Sequence, residues 1–284
     1  MSTFAFYRKV VALDSNVHRN LRFACNEVNF SFARDTTATL LAGVEFAEAA
    51  GEYPIVFVRG QDKQMRPVAL LGVRNGENLF VDEHGKWDAR YIPAFVRRYP
   101  FVMADGGANG QLVVCIDQSC PALNAEHGEL LINAEGKFEP RMNELMQFMQ
   151  NFQREFARTE LIVRQLDELG LFIQQGARFD TGSGETFQLN DFYLIDEAKF
   201  GQIADDKLPQ LFRSGALGLA YLHLASLVNM RKLLDRVAAR SERQKQPTPS
   251  GNAPLQMFSC IDPGGFPDTR VLPGGEWINA GMHS

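Results

Sequence analysis

Short apolar runs separated by polar turns dominate the first half of the chain and recur later in it. The runs predict strands at 53–60, 66–74, 78–82, 111–117, 127–133 and 185–196. The segment QDKQM connects the first two strands, and NGE precedes the third. Connections this short suit neighbouring antiparallel strands, because a parallel crossover needs about a dozen residues. We therefore expect a mainly antiparallel sheet.

Apolar residues recur at helical spacing in longer stretches. Residues 37–50 predict a helix that stops at Gly51. Residues 139–169 predict a long helix with Gly170 as its C-cap.

A second long helical region covers 205–240, with Gly215 and Gly218 as interruptions. Strands with segregated helices indicate an α+β fold. We expect a mainly antiparallel sheet with strand–turn–helix units and two long helical regions packed on it.

An internal similarity links residues 79–101 to residues 130–152. The two segments match without a gap at Leu79 and Leu130, Gly85 and Gly136, Lys86 and Lys137, Arg90 and Arg141, and Phe101 and Phe152. A weaker version at 193–212 lacks the turn glycine. Each copy predicts a strand, a tight turn with glycine at positive φ, an anchoring aromatic residue and a helix. Asp88 suits an N-cap, and Pro140 suits a first helical turn.

The composition changes after residue 240. Segments such as RQKQPTPSGNAP and PGGFPDTRVLPGGEW consist largely of turn residues. We therefore predict an α+β domain at 1–240 and a Pro/Gly-rich C-terminal tail at 241–284 without a core of its own.

Bulk properties exclude several classes of protein. The 284 residues are 45% hydrophobic, enough for a sizeable core, and the net charge of −5 argues against nucleic acid as the main partner. The apolar runs are too short to span a bilayer. The first twenty residues lack the apolar run of a signal peptide, so we expect a soluble, cytoplasmic protein.

The cysteines indicate free thiols in a reducing compartment. They stand at Cys25, Cys115, Cys120 and Cys260. Cys115 and Cys120 lie close together in sequence, but there is no second close pair to complete a zinc site.

The segment 78–101, NLFVDEHGKWDARYIPAFVRRYPF, is the densest in chemically capable side chains. An arginine here could bind a carboxylate or phosphate in bidentate fashion, or form a structural salt bridge. Adjacent helical residues point about 100° apart, so at most one arginine of the pair faces a given pocket. We predict a ligand-binding cleft between this segment and the 205–240 helices, to which these residues contribute: Trp87, Arg90, Tyr91, Arg97, Arg98 and Tyr99.

A metal site is the alternative. His127 and Glu129 form an H-x-E pair, and His223 could complete a two-His-one-carboxylate set, since alternate strand residues share a face. His223 lies on an otherwise apolar helix, which also suits a hydrogen-bonded core histidine.

Familiar catalytic motifs are missing from the sequence. The glycine-rich segments 104–110 and 180–185 lead into strands, whereas phosphate-binding loops open onto a helix N-terminus. DTG occurs once, without the second carboxylate that an aspartic protease needs, and no G-x-S-x-G elbow is present. We therefore predict no cofactor and assign no catalytic residue.

Several of these segments together resemble the SapC family of bacterial proteins. They are YPIVF (53–57), VALLGV (68–73), the 78–101 segment, and the stretch from LIDEAKF to MRKL at 194–233. The resemblance covers roughly residues 5 to 238, and its most specific part is YIPAFVRRYPF.

The resemblance implies an accessory or binding protein rather than a defined reaction. The family is named for a genetic association with bacterial surface-layer proteins, and its members often accompany outer-membrane uptake receptors. A peptide, protein or small-molecule ligand in such systems is therefore expected. The alternative expectation is a metal-dependent enzyme that uses His127, Glu129 and His223.

Overall fold

A computed structural model describes residues 6–105, 112–180 and 186–245. The described strands are β1 (Val10–Ala12), β2 (Arg22–Phe23), β3 (Ala38–Leu40), β4 (Ile55–Arg59), β5 (Met65–Leu70), β6 (Phe101–Asp105), β7 (Leu112–Asp117), β8 (Leu123–Asn124), β9 (Glu129–Leu130), β10 (Phe172–Asp180) and β11 (Thr186–Ile195). The described α-helices are α1 (Phe46–Ala49), α2 (Ala94–Arg97), α3 (Pro140–Glu168), α4 (Glu197–Phe200), α5 (Leu208–Ser214), α6 (Ala216–Ser226) and α7 (Asn229–Lys245). The sheets are antiparallel, so the predicted α+β class is confirmed.

The largest sheet has five strands in the order β10–β11–β4–β5–β3. Its centre confirms the strands predicted at 53–60 and 66–74, and β11 confirms the one at 185–196. The side chains of Ile55, Val56 and Phe57 are fully buried, which explains the unbroken apolar run. Helix α3 packs on β5, and α6 packs on β4 and β11. Strand β10, the partner of β11, was not predicted.

The single helix predicted at 37–50 is wrong. This stretch forms the edge strand β3, a 3-10 turn at Gly43–Glu45 and the one-turn helix α1. Every residue from 38 to 42 is buried. When an extended segment is buried along its whole length, most of its successive residues are apolar, and some of them fall at helical spacing. Helical spacing therefore did not identify a helix here.

The described residues also form two smaller sheets of three strands each. They have the orders β1–β7–β6 and β8–β2–β9. Strand β7 confirms the prediction at 111–117, whereas the strand predicted at 127–133 is reduced to β9 and an isolated bridge at Ile132. Strands β1 and β6 were not predicted.

The long helix predicted at 139–169 is confirmed by α3. Pro140 occupies its first turn, where a missing N–H costs no helical hydrogen bond. At the other end Gly170 has φ +65°, and its N–H donates to the Asp167 carbonyl at 2.9 Å. The buried face of α3 comprises Met142, Leu145, Phe148, Met149, Phe152, Thr159, Ile162, Val163 and Leu166.

The region 205–240 contains α5, α6 and most of α7. Gly215 separates α5 from α6 with φ +86°, so its predicted interruption is confirmed. Gly218 lies inside α6 without breaking it, so the second predicted interruption is wrong.

The internal similarity corresponds to two turns with the same backbone hydrogen bonds. The Asp82 N–H donates to the Lys86 carbonyl at 3.0 Å, and the Asn133 N–H donates to the Lys137 carbonyl at 3.0 Å. In return the side-chain oxygen of Asp82 accepts from the Lys86 N–H at 2.8 Å, and that of Asn133 accepts from the Lys137 N–H at 2.9 Å. Aspartate and asparagine share this capacity, which explains why either residue serves.

A glycine and an aromatic residue complete each turn. Gly85 and Gly136 both have φ +79°, which confirms the predicted positive φ. Isolated bridges close the two hairpins, Val81 with Trp87 and Ile132 with Phe138. The segment 78–82 thus supplies one bridge residue instead of the predicted strand.

The helix predicted after the turn follows directly only in the second copy. There α3 begins at Pro140, whereas Asp88 caps no helix and its carboxylate accepts from Arg236 at 2.6 Å. The stretch 193–212 runs from β11 into α4 with Asp196 as N-cap, without the tight turn.

Parts of the chain remain outside the described residues. They include most of the two glycine-rich segments, 104–110 and 180–185, and the tail beyond residue 245 with Cys260. The division into a domain at 1–240 and a tail therefore stays a prediction.

Candidate functional site

Arg97 and Arg98 leave α2 in different directions. Arg98 is only 7% exposed. Arg97 is half-buried: its Nε donates to the Ile92 carbonyl at 2.9 Å, and its guanidinium carbon lies 5.8 Å from the Tyr91 ring centroid and 5.3 Å from that of Phe148. Of the two arginines, Arg98 is therefore the one that enters the interior. The angle of about 100° between adjacent helical residues explains why the two side chains diverge.

Aromatic rings surround the Arg98 guanidinium. Its central carbon lies 4.0 Å from the Phe95 ring centroid, 5.5 Å from that of Phe152 and 5.9 Å from that of Tyr7. The negative faces of such rings attract a cation. Burial lowers the pKa of Arg98, and the interaction with Tyr7 opposes that shift.

Tyr7 does not neutralise this charge. Burial raises the pKa of Tyr7 to about 12, so the hydroxyl stays protonated at neutral pH. Arginine also remains protonated in proteins. The Arg98 side chain therefore brings a positive charge into a largely aromatic environment.

A cavity of about 180 Å³ lies beside Arg98. Its lining residues come from β3, α2, β6 and α3: Leu40, Phe95, Arg98, Met103, Met149, Phe152, Gln153 and Phe156. Arg98 is the charged residue of this lining, and the exposed Gln153 marks its solvent side. The arrangement joins an apolar wall to a single buried cation, which can orient a small ligand.

Tyr99 belongs to a separate aromatic cluster. Its ring stacks on Phe32 with centroids 3.8 Å apart and planes inclined by 17°, and Tyr7 lies 5.5 Å away. Tyr99 is 7% exposed, and burial raises its pKa. This side chain therefore holds the N-terminal segment against α2.

Trp87 and Tyr91 take part in a chain of hydrogen bonds. The Trp87 Nε1–H donates to the Tyr53 hydroxyl at 2.9 Å, and Tyr53 donates to the Tyr91 carbonyl. The Tyr91 hydroxyl then donates to Glu45 Oε1 at 2.8 Å. The side chains of Trp87 and Tyr91 are thus both hydrogen-bonded within the protein, to Tyr53 and Glu45.

Glu45 is a buried carboxylate that the sequence analysis missed. Its Oε1 also accepts from the Ala94 N–H at 2.7 Å, and its Oε2 accepts from the Ala42 N–H at 2.7 Å. Burial raises the pKa of Glu45, although these donors oppose the shift. By holding the first residue of α2, Glu45 helps to orient Arg98. The sequence signal for a buried carboxylate at this position was a single glutamate within the apolar run TLLAGVEF (39–46).

The segment 78–88 and helix α7 are in direct contact. Arg236 pairs with Asp88 at 2.6 Å and lies 4.3 Å from the Phe80 ring centroid. Arg240 donates to the Asn78 carbonyl at 2.8 Å. These contacts occupy the position where we expected a cleft.

The six predicted ligand-binding residues therefore do not converge. Arg98 lines the cavity, whereas Arg97 is not among its lining residues. Tyr99, Trp87 and Tyr91 pack within the scaffold, and Arg90 is exposed on the surface.

The three residues of the alternative metal site also lie apart. His127 is exposed and pairs with Glu27 at 2.9 Å, while Glu129 pairs with Arg141 at 3.1 Å. His223 is completely buried elsewhere. Within the part of the chain that the structure describes, no three His, Cys, Asp or Glu side chains are arranged to hold a metal ion.

His223 bridges two strands of the large sheet. Its Nδ1 bonds to the Ile55 carbonyl at 2.7 Å, and its Nε2 accepts from the Ile195 N–H at 3.1 Å. The register that pairs Tyr193 with Phe57 would place Ile195 opposite Ile55. The imidazole thus takes the place of a direct bond between β4 and β11, which confirms the hydrogen-bonded core histidine. Burial lowers its pKa to about 4.

Fold and cavity together define an α+β protein with a small apolar chamber and one buried cation. The chain matches the model of the SapC family over residues 13–233 and belongs to that family. No curated protein and no solved structure matches the chain.

Among the described helices, none is by itself long and apolar enough to cross a membrane. Leu208–Ser214 and Ala216–Glu242 meet the length and composition criteria only as a pair, which is bent by 78°.

Proposed function

We propose that this SapC-family chain is an accessory protein that binds a small ligand in the cavity beside Arg98. The observation that carries the proposal is the pairing of a charged, 7% exposed arginine with an otherwise mostly apolar chamber. Apolar walls that carry a few convergent polar groups are the usual lining of small-molecule sites, and this cavity has that composition.

The volume supports a ligand of limited size. An apolar cavity of about 150 Å³ accommodates a benzene ring. The chamber of about 180 Å³ therefore has room for one ring or a short branched chain with a small polar group.

Family membership supports the biological setting of the proposal. We place the protein in the cytoplasm of a bacterium, with a role in cell-surface or outer-membrane uptake systems. The free thiols of Cys115 and Cys120 suit a reducing compartment. A protein or peptide partner in those systems remains a prediction.

A screen of one-ring compounds against the full chain tests the proposal. Ligand-observed NMR would report which neutral, anionic and cationic members bind. Gln153→Trp fills the solvent side of the cavity at an exposed position, while Gln147→Trp places the same ring at an exposed position of α3 outside the lining.

We expect binding to wild type and to Gln147→Trp, and its loss in Gln153→Trp. If no compound binds, or if Gln153→Trp binds as wild type does, the cavity is not a ligand site and the proposal is wrong.

A further inference from the structure

We propose that two copies of this chain associate through the exposed side of α6, with the two helices antiparallel about a twofold axis. The surface, here called the α6 face, consists of the exposed residues of α6 and of the turn that follows it: Gly218, Tyr221, Ala225 and Val228. None of these residues lines the Arg98 cavity, so the proposal is independent of ligand binding there.

The α6 face is an apolar stripe on one side of the helix. Tyr221 is 63% exposed and Val228 is 70% exposed. At 100° per residue, the spacing of the four residues keeps them within an arc of about 80°. The other side of α6 is buried in the protein through Ala216, Leu219, Ala220, His223 and Ser226. Exposed apolar surface that is concentrated in this way marks an interaction site.

Gly218 has no function within a single copy of the chain. It lies inside α6 without positive φ, where a glycine makes a helix less stable than an alanine does. A Cβ added at this position would meet no atom within 4 Å. Small residues allow the backbones of two packed helices to approach each other closely. The glycine therefore indicates that a second helix packs against α6.

The order of side-chain sizes along the α6 face identifies that helix as the α6 of a second copy. In an antiparallel pair centred on position 223, residues equally far before and after this position lie opposite each other. Tyr221 then lies opposite Ala225 of the second copy, and Val228 lies opposite its Gly218. Each large side chain meets a small one at all four places. A twofold interface needs this self-complementarity, because the same surface serves both copies.

The charges on and around the α6 face also favour a second copy. Residues 216–228 contain no Asp, Glu, Lys or Arg, so the pairing brings no like charges together. Antiparallel helices also place opposite ends of their dipoles side by side. An anionic membrane would require clustered Lys and Arg. The exposed charged residues that flank the face in sequence instead have both signs: Asp205, Asp206, Arg213, Arg231, Lys232 and Asp235.

The size of the contact predicts a weak dimer. Helix α6 has 11 residues and is therefore about 16 Å long. A contact between one such helix and its copy lies below the about 1,200 Å² of buried surface that stable complexes reach. We therefore expect a dissociation constant on the order of 10–100 μM.

Sedimentation equilibrium of the full chain tests the pairing, at concentrations from about 5 to about 500 μM that bracket the expected dissociation constant. Tyr221→Ala would set two alanines opposite each other, and Ala225→Tyr would set two tyrosines opposite each other. Each single variant should dimerise at least about tenfold more weakly than wild type. The double variant Tyr221→Ala/Ala225→Tyr again sets a tyrosine opposite an alanine, and its dissociation constant should lie within about threefold of wild type.

Gly218→Ala should have opposite effects on the single copy and on the dimer. The added methyl group enters open space, so the melting temperature of the dilute protein should rise by about 2–4 °C. The same methyl group holds the second helix away and should weaken dimerisation several-fold. Gln150→Tyr places a tyrosine at an exposed position of α3 and is the control, which should dimerise as wild type does.

Two outcomes would overturn the proposal. The first is a full chain that remains monomeric at about 500 μM, including a chain that binds anionic vesicles through the α6 face instead. The second is a double variant, folded by circular dichroism, that dimerises no better than the single variants. Both outcomes leave the ligand site at the Arg98 cavity untouched, because its test uses other residues.

Discussion

Stability should fall between pH 7 and pH 5 because of His223. The native imidazole is buried and neutral with a pKa of about 4, whereas a histidine in the unfolded chain has a pKa of about 6.5. Between these values the unfolded state binds a proton that the native state excludes. The free energy of unfolding therefore decreases as the pH falls through this window and is unaffected well above it. For these two pKa values the loss from pH 7 to pH 5 is about 2 kcal/mol.

His223→Gln removes the titrating group and keeps a donor for Ile55 and an acceptor for Ile195. Urea unfolding at pH 7 and pH 5, followed by circular dichroism, should show that this variant loses about 2 kcal/mol less than wild type over the interval. His84→Gln is the control, since the His84 side chain is 76% exposed. It should lose as much stability as wild type.

His223→Leu separates the bridge from the titration. It leaves the Ile55 carbonyl and the Ile195 N–H without their partner, at about 1–3 kcal/mol each. If wild type and His223→Gln lose equal stability between pH 7 and pH 5, the assignment of the pH dependence to His223 is refuted.

Four further substitutions test individual contacts by urea unfolding at pH 7. Gly85→Ala and Gly136→Ala should each lower the free energy of unfolding by about 1–2 kcal/mol, because both positions have positive φ. The total loss should be larger at Gly85, where an added Cβ would lie 2.5 Å from Ser31 Oγ. Equal losses in the two variants would contradict the argument from this contact. Glu45→Gln should lower the free energy of unfolding by about 1–3 kcal/mol, because the amide nitrogen would face a donor that the carboxylate now accepts from: a backbone N–H or the Tyr91 hydroxyl. Wild-type stability in this variant would show that the carboxylate is dispensable. Ser226→Ala removes the acceptor of the buried Ile55 N–H and should also lose about 1–3 kcal/mol; a loss near zero would mean that another acceptor replaces it.

Sequence patterns correctly predicted the strands and the helix in which buried residues are either consecutive or regularly spaced. The strands at β4, β5, β7 and β11 and the helix α3 have either a continuous apolar run or a regular apolar stripe. In the stretch 37–50, residues 38–42 are buried at every position, so apolar residues at helical spacing there did not indicate a helix. Strand β1 depends on β7, a partner about 100 residues away, which a local pattern does not contain. Strands β6 and β10 pair with the next strand along the chain, β7 and β11, but β10 (FIQQGARFD) lacks a regular apolar alternation.

The candidate site was predictable in one residue only. Arg98 belonged to the predicted set, and the angle between adjacent helical residues required that at most one arginine face a pocket. The choice between Arg97 and Arg98, and the contributions of Met149 and Phe156 from α3, depend on how separate elements pack together. Glu45 was missed because a carboxylate beside a short apolar run usually marks a solvent-facing position.

The opening segment of the chain depends on residues that are synthesised much later. Tyr7 donates to the Phe101 carbonyl at 2.8 Å, the Phe30 N–H donates to the Gly85 carbonyl at 2.7 Å, and Phe23 pairs with residues at 123 and 129. A ribosome adds about 5–20 residues per second, so the roughly 100 residues between Phe23 and its last partner take about 5–20 s. During that interval these aromatic side chains have emerged without the surfaces that will cover them, and this is when a nascent chain of this protein most needs protection from aggregation.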